Sequence, residues 1–176
     1  MKEIPYSSLQ INPMDMIGKQ WWLITAGNRE NGYNTMTASW GHLGSIWGHP
    51  DRKGHIGLPT AVVYIRPQRH TKSFVDREEY FTLSVFNDSR HKDLAYLGTA
   101  SGRDGDKISH VGLTPVFVDN TTAFAEAELT FVCRKLYCAP IVAEGFTDPQ
   151  ILEHNYPQRD LHDMYVGEIV KVYIKD

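Results

Sequence analysis

Asn34-Thr35-Met36-Thr37-Ala38-Ser39-Trp40 and, after a valine-bearing run, Arg66-Pro67-Gln68-Arg69-His70-Thr71 decide how this chain is read. At the two-residue period of a strand, the first stretch puts Thr35, Thr37 and Ser39 on one side and Met36, Ala38 and Trp40 on the other. A row of small hydroxyls leaves the backbone open. A flat ring can lie along such a strand and take hydrogen bonds from free N–H groups. The second stretch carries the strand Ala61-Val62-Val63-Tyr64-Ile65 into two guanidinium groups, with Pro67 keeping Arg66 extended. Thr71 or Ser73 fits the cap of a short helix to about Arg77. Arg66, Arg69, a hydroxyl and the positive end of a helix are therefore expected at one spot, and that spot suits a phosphate. Each stretch also has a plain reading, as a strand with a hydroxyl outer face and as a solvated strand end. Their order and closeness, with Tyr80 to Phe86 following, favour the ring-and-phosphate reading.

The chain has 176 residues, 41% of them apolar, and a net charge of −3. That length predicts one domain, residues 1–176, with its own core. No lysine- or arginine-rich block marks a nucleic-acid surface, so a nucleic-acid partner is not expected. No run of eighteen apolar residues and no leader-like order in Met1 to Pro13 appears, which predicts a cytoplasmic chain with no membrane partner.

Apolar runs separated by Gly, Asn and Pro clusters predict a mainly β domain with strands near 20–27, 33–41, 60–66, 80–86, 111–118, 124–138 and 164–174. Three short helices are predicted in the connections. They begin near Thr71, near Ser89 with Gly98 as the C-terminal cap, and at Asp148-Pro149. Seven strands with so few helices favour a closed or half-closed barrel. Gly48 to Pro59, with Asp51-Arg52-Lys53-Gly54 inside it, reads as a polar loop.

Cys133 and Cys138 fit neither a redox Cys-x-x-Cys nor a zinc spacing, and five positions apart on a strand they point to opposite faces. The histidines match no metal site, so none is expected. The sequence holds no nucleophile elbow, no His-Glu-x-x-His and no phosphate loop.

Five pieces in order, from about residue 15 to 174, resemble the flavin reductase-like family with the FMN-binding split-barrel fold, flavoredoxin-type members included. They are Asn34 to Gly41, Arg66 to Thr71, Phe81-Thr82-Leu83-Ser84-Val85, Ser101-Gly102-Arg103-Asp104-Gly105-Asp106-Lys107 and Tyr165-Val166-Gly167-Glu168-Ile169. The resemblance implies FMN as cofactor, held by Thr35, Met36, Thr37, Ala38, Ser39, Arg66, Arg69, Thr71, Ser84 and Lys107. It places His162 near the flavin, as a contact to the phosphate or to an incoming nicotinamide and the one candidate catalytic residue. The 101–107 loop lies over the cofactor. The family pattern passes from the tryptophan to the next strand in fewer residues, so the 48–59 loop is a departure.

The chemistry then belongs to the cofactor. NADH or NADPH is implied as a transient reductant, since no Gly-x-Gly-x-x-Gly supplies a dinucleotide module. The favoured reading is an NAD(P)H-dependent flavin reductase that passes electrons to free flavin or another acceptor. The alternatives are a flavoredoxin-like electron carrier exchanging electrons with a redox partner protein, and a β-barrel module for some other phosphorylated aromatic ligand. A homodimer is implied, with Trp47 and Tyr165 as candidate interface aromatics.

Overall fold

The structure is a computed structural model, and it describes residues 1–50 and 57–176. Residues 51–56 of the polar loop expected from Gly48 to Pro59 therefore lie outside the described residues. Ten strands are described: β1 (Lys2–Ile4), β2 (Trp22–Asn28), β3 (Gly32–Ala38), β4 (Gly41–Ile46), β5 (Leu58–Ile65), β6 (Tyr80–Val85), β7 (Pro115–Val118), β8 (Thr121–Phe124), β9 (Leu129–Pro140) and β10 (Asp163–Ile174). The helices are α1 (Pro13–Asp15), α2 (His70–Arg77), α3 (His91–Thr99), α4 (Lys107–His110) and α5 (Pro149–Asn155).

The main sheet runs β3-β2-β6-β9-β10-β5-β4, antiparallel throughout, with β1 added on β10. Its two outer strands are consecutive in the chain. β3 ends at Ala38 and β4 begins at Gly41, so the ends of the sheet stand at most about 11 Å apart, three Cα steps of ~3.8 Å. A flat sheet cannot satisfy that. The sheet must curl into a barrel, yet β3 and β4 do not pair, and the barrel stays split along that line.

Alternation along β2 shows what each face covers. Trp22, Ile24 and Ala26 point into the barrel with Met36, Val63, Ile65, Phe81, Leu83, Phe131 and Ile169, all buried. Leu23 points outward into a second core, where Leu94, Leu97, Ile108, Leu113 and Phe124 bring α3, α4 and the β7–β8 hairpin onto the sheet. The outer face between these contacts is built of hydroxyls. Thr25 and Thr35 share a hydrogen bond of 2.8 Å, Thr82 donates to the Thr122 carbonyl, and Thr122 donates to that of Gly27.

The seam is sealed by one large side chain on one small residue. Trp22 is fully buried, and a Cβ at Gly41 would overlap its indole and stand 2.7 Å from the Val62 carbonyl. Helix α2 packs Val75 onto the barrel core and is tied to β9 and β10. Tyr165 donates to Asp76, Lys72 bridges Asp76 and Asp163, and Lys135 donates to the Val75 and Asp76 carbonyls at the helix end.

The mainly β barrel with short helices is as predicted, and several bounds differ for physical reasons. The expected 33–41 strand breaks at Ser39, because the seam needs a turn there. The expected 111–118 strand is only β7, since Asp106 caps α4 at the Ile108 and Ser109 N–H and Gly112 ends that turn with φ +64°. The expected 124–138 strand divides into β8 and β9. Gly98 lies inside α3 rather than capping it, because the helix needs no side chain where it meets Thr37, whose Cβ would stand 3.3 Å from a Cβ on that glycine. Neither Thr71 nor Ser73 caps α2, which starts one residue earlier with Arg69 at the cap position. Cys133 is buried and Cys138 exposed, but they do not take the expected opposite faces: the register shift between Val166 and Gly167 sets them across from Ile169 and Tyr165, which share the barrel-core face of β10.

Replacing Gly41 by Ala should cost about 2–3 kcal/mol of stability, the usual cost of overpacking against an indole that cannot withdraw. Gly44 on the same strand has nothing within 4 Å of its would-be Cβ, so Gly44→Ala is expected near neutral. Denaturant unfolding of the two variants checks this.

Candidate functional site

The residues between the end of β5 and the start of α2 form a tight turn, with the Arg69 N–H donating to the Arg66 carbonyl at 3.1 Å. That turn throws both arginines to one side. It opens on a cleft of about 610 Å³, lined by Asn34 and Met36 of β3, Arg66, Arg69, His70, Thr71, the 99–102 segment, Lys107 and the 154–160 segment. The first N–H groups of a helix have no partner inside it, and here they belong to residues that line the cleft.

Three cations stand in this cleft, held in different ways. Arg66 is neutralised: it pairs with Asp160 at 2.5 Å and donates to the Asn155 carbonyl at 2.8 Å. That contact, shared with Gln68, holds the Asp160 carboxyl below its ordinary range. Arg69 donates to the Gly98 carbonyl, and Lys107 to the Leu97 and Ala100 carbonyls, each at 2.7–2.9 Å. Neither has a carboxylate partner among the described residues. The last carbonyls of α3 carry that helix's partial negative charge, so they attract both cations without cancelling either. Burial, then the nearby Arg69 charge, pushes the Lys107 ammonium down to about 8. It is still mostly protonated at neutral pH.

His70 faces the same charges. Burial, then Arg103 and Lys107, lowers its pKa, and its Nδ1 is buried with no hydrogen-bond partner among the described residues. Asn34 donates to the Thr71 hydroxyl at 2.8 Å, and a Cβ at Gly102 would overlap the Asn34 side-chain oxygen. Only glycine lets the 101–102 backbone lie so close to β3.

A second cleft, of about 600 Å³, adjoins the first. Asn155 lines both, and Ser39, Trp40, His42, Tyr64 and Tyr156 line the second. Between them sits His162, buried, with Tyr156 at hydrogen-bond distance, 2.8 Å, from its Nδ1 and the Trp40 ring 5.0 Å away. Arg66 lies over the Tyr156 ring at 5.2 Å. Burial, then the Arg66 charge, depresses His162 to about 4. It is neutral and supports the wall between the clefts.

The structure thus brings Met36, Arg66, Arg69, Thr71 and Lys107 to one cleft, and Ser39 to its neighbour. Others lie elsewhere. Thr35 is fully buried and donates to the Ile24 carbonyl, while Thr37 donates to the Leu94 carbonyl under α3. Ser84 faces Thr130 on the outer face, and Ala38 packs on the barrel core. The hydroxyl row seats α3 and the hairpin, so the face of β3 turned to the cleft is the other one, carrying Asn34 and Met36. His162 lies in the wall rather than among the lining residues. Tyr165, expected at an interface, is fully buried with its hydroxyl on Asp76. Sequence reading missed Asn34, His70, Ser101 and the 154–160 segment. Asn34, His70 and Ser101 sat within motifs it had singled out, without a role assigned to them, and the 154–160 segment sat in none.

Residues 58–176 match the flavin reductase like domain, more than half of the chain. The chain belongs to that family. The matched span holds Arg66, Arg69, Lys107 and His162 and leaves out β2, β3 and β4. No curated protein matches the chain. Among solved structures, an FMN-binding domain of a flavin reductases-like enzyme from Shewanella baltica OS155 aligns with TM-score 0.65 at 13% identity, covering 99% of this chain and 76% of that one. Flavoredoxin of Desulfovibrio vulgaris (Miyazaki F) gives 0.64 at 19%, covering 100% and 78%. Nitrilotriacetate monooxygenase component B from Bacillus cereus gives 0.65 at 14%, covering 100% and 82%. At these identities the likeness is one of fold, and it makes the barrel a flavin reductase-like split barrel.

Two pH effects follow. His162 titrates near 4 in the folded chain and near 6.5 unfolded. Its neutral, buried state contributes stability that is full above pH 6.5 and is lost as pH falls toward 4, by roughly 3 kcal/mol at most. Thermal unfolding from pH 7 to 4 should therefore drop less for His162→Gln than for wild type. Lys107 predicts the opposite edge for anion binding. Affinity for a dianionic phosphate is full below pH 8 and falls about tenfold as the ammonium deprotonates, the worth of one charged hydrogen bond. Lys107→Met should bind weakly and without that dependence, as calorimetry from pH 7 to 9.5 would show.

Proposed function

We propose that the protein is an FMN-dependent oxidoreductase that takes hydride from NADH or NADPH and passes electrons to free flavin or another acceptor, acting in the cytoplasm. The observation that carries this reading is the pair of cations, buried Lys107 and half-buried Arg69, held on neutral carbonyls with no carboxylate partner among the described residues. Such a pair favours an anion with several acceptor oxygens. The buried, unpartnered Nδ1 of His70 beside them is a further group that a ligand can satisfy. The residues present fit a flavin phosphate. Arg69 and Lys107 would hold it, with the Thr71 and Ser101 hydroxyls and the start of α2, while Asn34 and Met36 of β3 flank the rest of the molecule.

FMN supplies, when bound, a ring that accepts hydride and releases electrons. The chain's part is to hold and surround it. Arg66, paired with Asp160, ties the 154–160 segment across the cleft and so builds one wall rather than adding net charge. Neutral His162 keeps Tyr156 and Trp40 in place without bringing a proton to the site. The proposal includes a homodimer, supported by the exposed aromatic pair Trp47 and Tyr137, whose rings meet at 5.9 Å.

Purified protein titrated with FMN and with riboflavin should bind FMN about 10- to 100-fold more tightly, from a charged phosphate contact worth roughly 1.5–3 kcal/mol. Arg69→Ala should abolish most of the difference. Anaerobic addition of NADH or NADPH should then bleach the bound flavin's visible band. Equal affinity for the two flavins removes the phosphate role. A bound flavin that no nicotinamide reduces leaves the electron-carrier reading in its place.

A further inference from the structure

The second cleft differs in chemistry from the first. It is lined by Met14, Trp40, Tyr64, Phe146, Ile151 and Tyr156, among others, and no lysine, arginine, aspartate or glutamate lines it among the described residues. At about 600 Å³ it has the size and apolar walls of a small-molecule site. We propose that it binds an uncharged, planar ring compound bearing a carbonyl group, the class to which quinones belong, and that this compound is an electron acceptor of the protein. The acceptor role rests on the FMN reading above. The binding does not.

Charge decides the class first. A phosphorylated flavin or a nicotinamide dinucleotide would lose the hydration of its phosphates here and find no cation in return. Shape decides next. Trp40, Tyr64, Phe146 and Tyr156 offer ring faces and edges, and the Trp40 and Phe146 rings stand edge-on to Tyr156 at 6.5 and 5.9 Å. Flat rings pack into such walls better than flexible chains do. Polar groups are few and close together. The Tyr64 hydroxyl lies 3.4 Å from His42 Nδ1, a long contact that leaves it able to donate to a carbonyl. Burial raises its pKa, which keeps that proton in place.

Position supplies the last argument. Asn155, which lines both, puts the cleft beside the cation-lined one, and Ser39 and Trp40 continue the chain from the strand whose Met36 borders the first. A ring acceptor there would stand next to the cofactor. The overall change balances: hydride from the dihydronicotinamide and one proton from water would convert a quinone to its hydroquinone, a bound FMN supplying the relay, and the nicotinamide would leave oxidised.

Menadione is the probe. Calorimetric titration of FMN-loaded and FMN-free protein should show one menadione per chain in both. Ile151→Lys, which sets a cation on an exposed position of α5 in the wall, should weaken it at least tenfold while FMN affinity and thermal unfolding stay as in wild type. Tyr64→Phe should weaken it several-fold. Absence of binding, or binding unchanged in Ile151→Lys, overturns the site. Loss of menadione binding on FMN loading gives the cleft to the flavin ring, and loss as self-association sets in by sedimentation gives it to a second copy; either overturns the proposal. Menadione binding by protein that binds no FMN in the parallel titration keeps the site and overturns the acceptor role alone.

Discussion

Two residues, Ser39 and Trp40, join the outermost strands of the sheet, and the rest of the architecture follows from that short link. It bends the sheet into a barrel, sets Gly41 under the Trp22 indole, and leaves the β3–β4 line unpaired. Both clefts open beside this line. β3 borders the first with Asn34 and Met36, and the link itself borders the second. The site is therefore a by-product of closure: the place where the barrel cannot complete its hydrogen-bond ladder is where the backbone stays within reach of a ligand.

Electrostatics in the first cleft is arranged through α3. Its last carbonyls hold Arg69 and Lys107 in fixed positions and leave their charge to be used. A carboxylate in the same place would orient them equally well and cancel them, which is what Asp160 does to Arg66. The three cations that look alike in the sequence thus divide into two that attract an anion and one that fastens a wall. Because Thr37 docks on that helix, the outer face of β3 reaches the site indirectly, by placing the carbonyls that place the cations.

Much of this was legible beforehand. Strand periodicity and turn residues located β2, β5, β6, β9 and β10, and the Asp148-Pro149 start of α5 was read from its cap and proline. The arginine turn was read correctly as a strand running into a helix start. The phase of β3 was not. Alternation says which residues share a face, and nothing local says which face a helix will cover; Thr35 and Thr37 hydroxyls serve packing as readily as they serve a ring. The 154–160 wall escaped for another reason. Its role comes from Arg66, ninety-odd positions away, and no short-range pattern records such a contact. Lys107 lines the same cleft as Arg66 and Arg69, but its partners are carbonyls, which sequence does not display.

The strand order carries a consequence for how the chain is built. β9 and β5 are neighbours of β10 and not of each other. Without β10, the sheet is two separate pieces, β3-β2-β6-β9 and β5-β4, each with raw edges. A chain made from its N-terminus therefore carries unpaired strands until the last described one arrives, and the pairings that strand makes with β1 and β5, such as Lys2 with Ile174 and Ile65 with Asp163, are among the longest-range in the fold. During synthesis those edges are exposed to other strands, and the final segment acts as the keystone that ends the exposure.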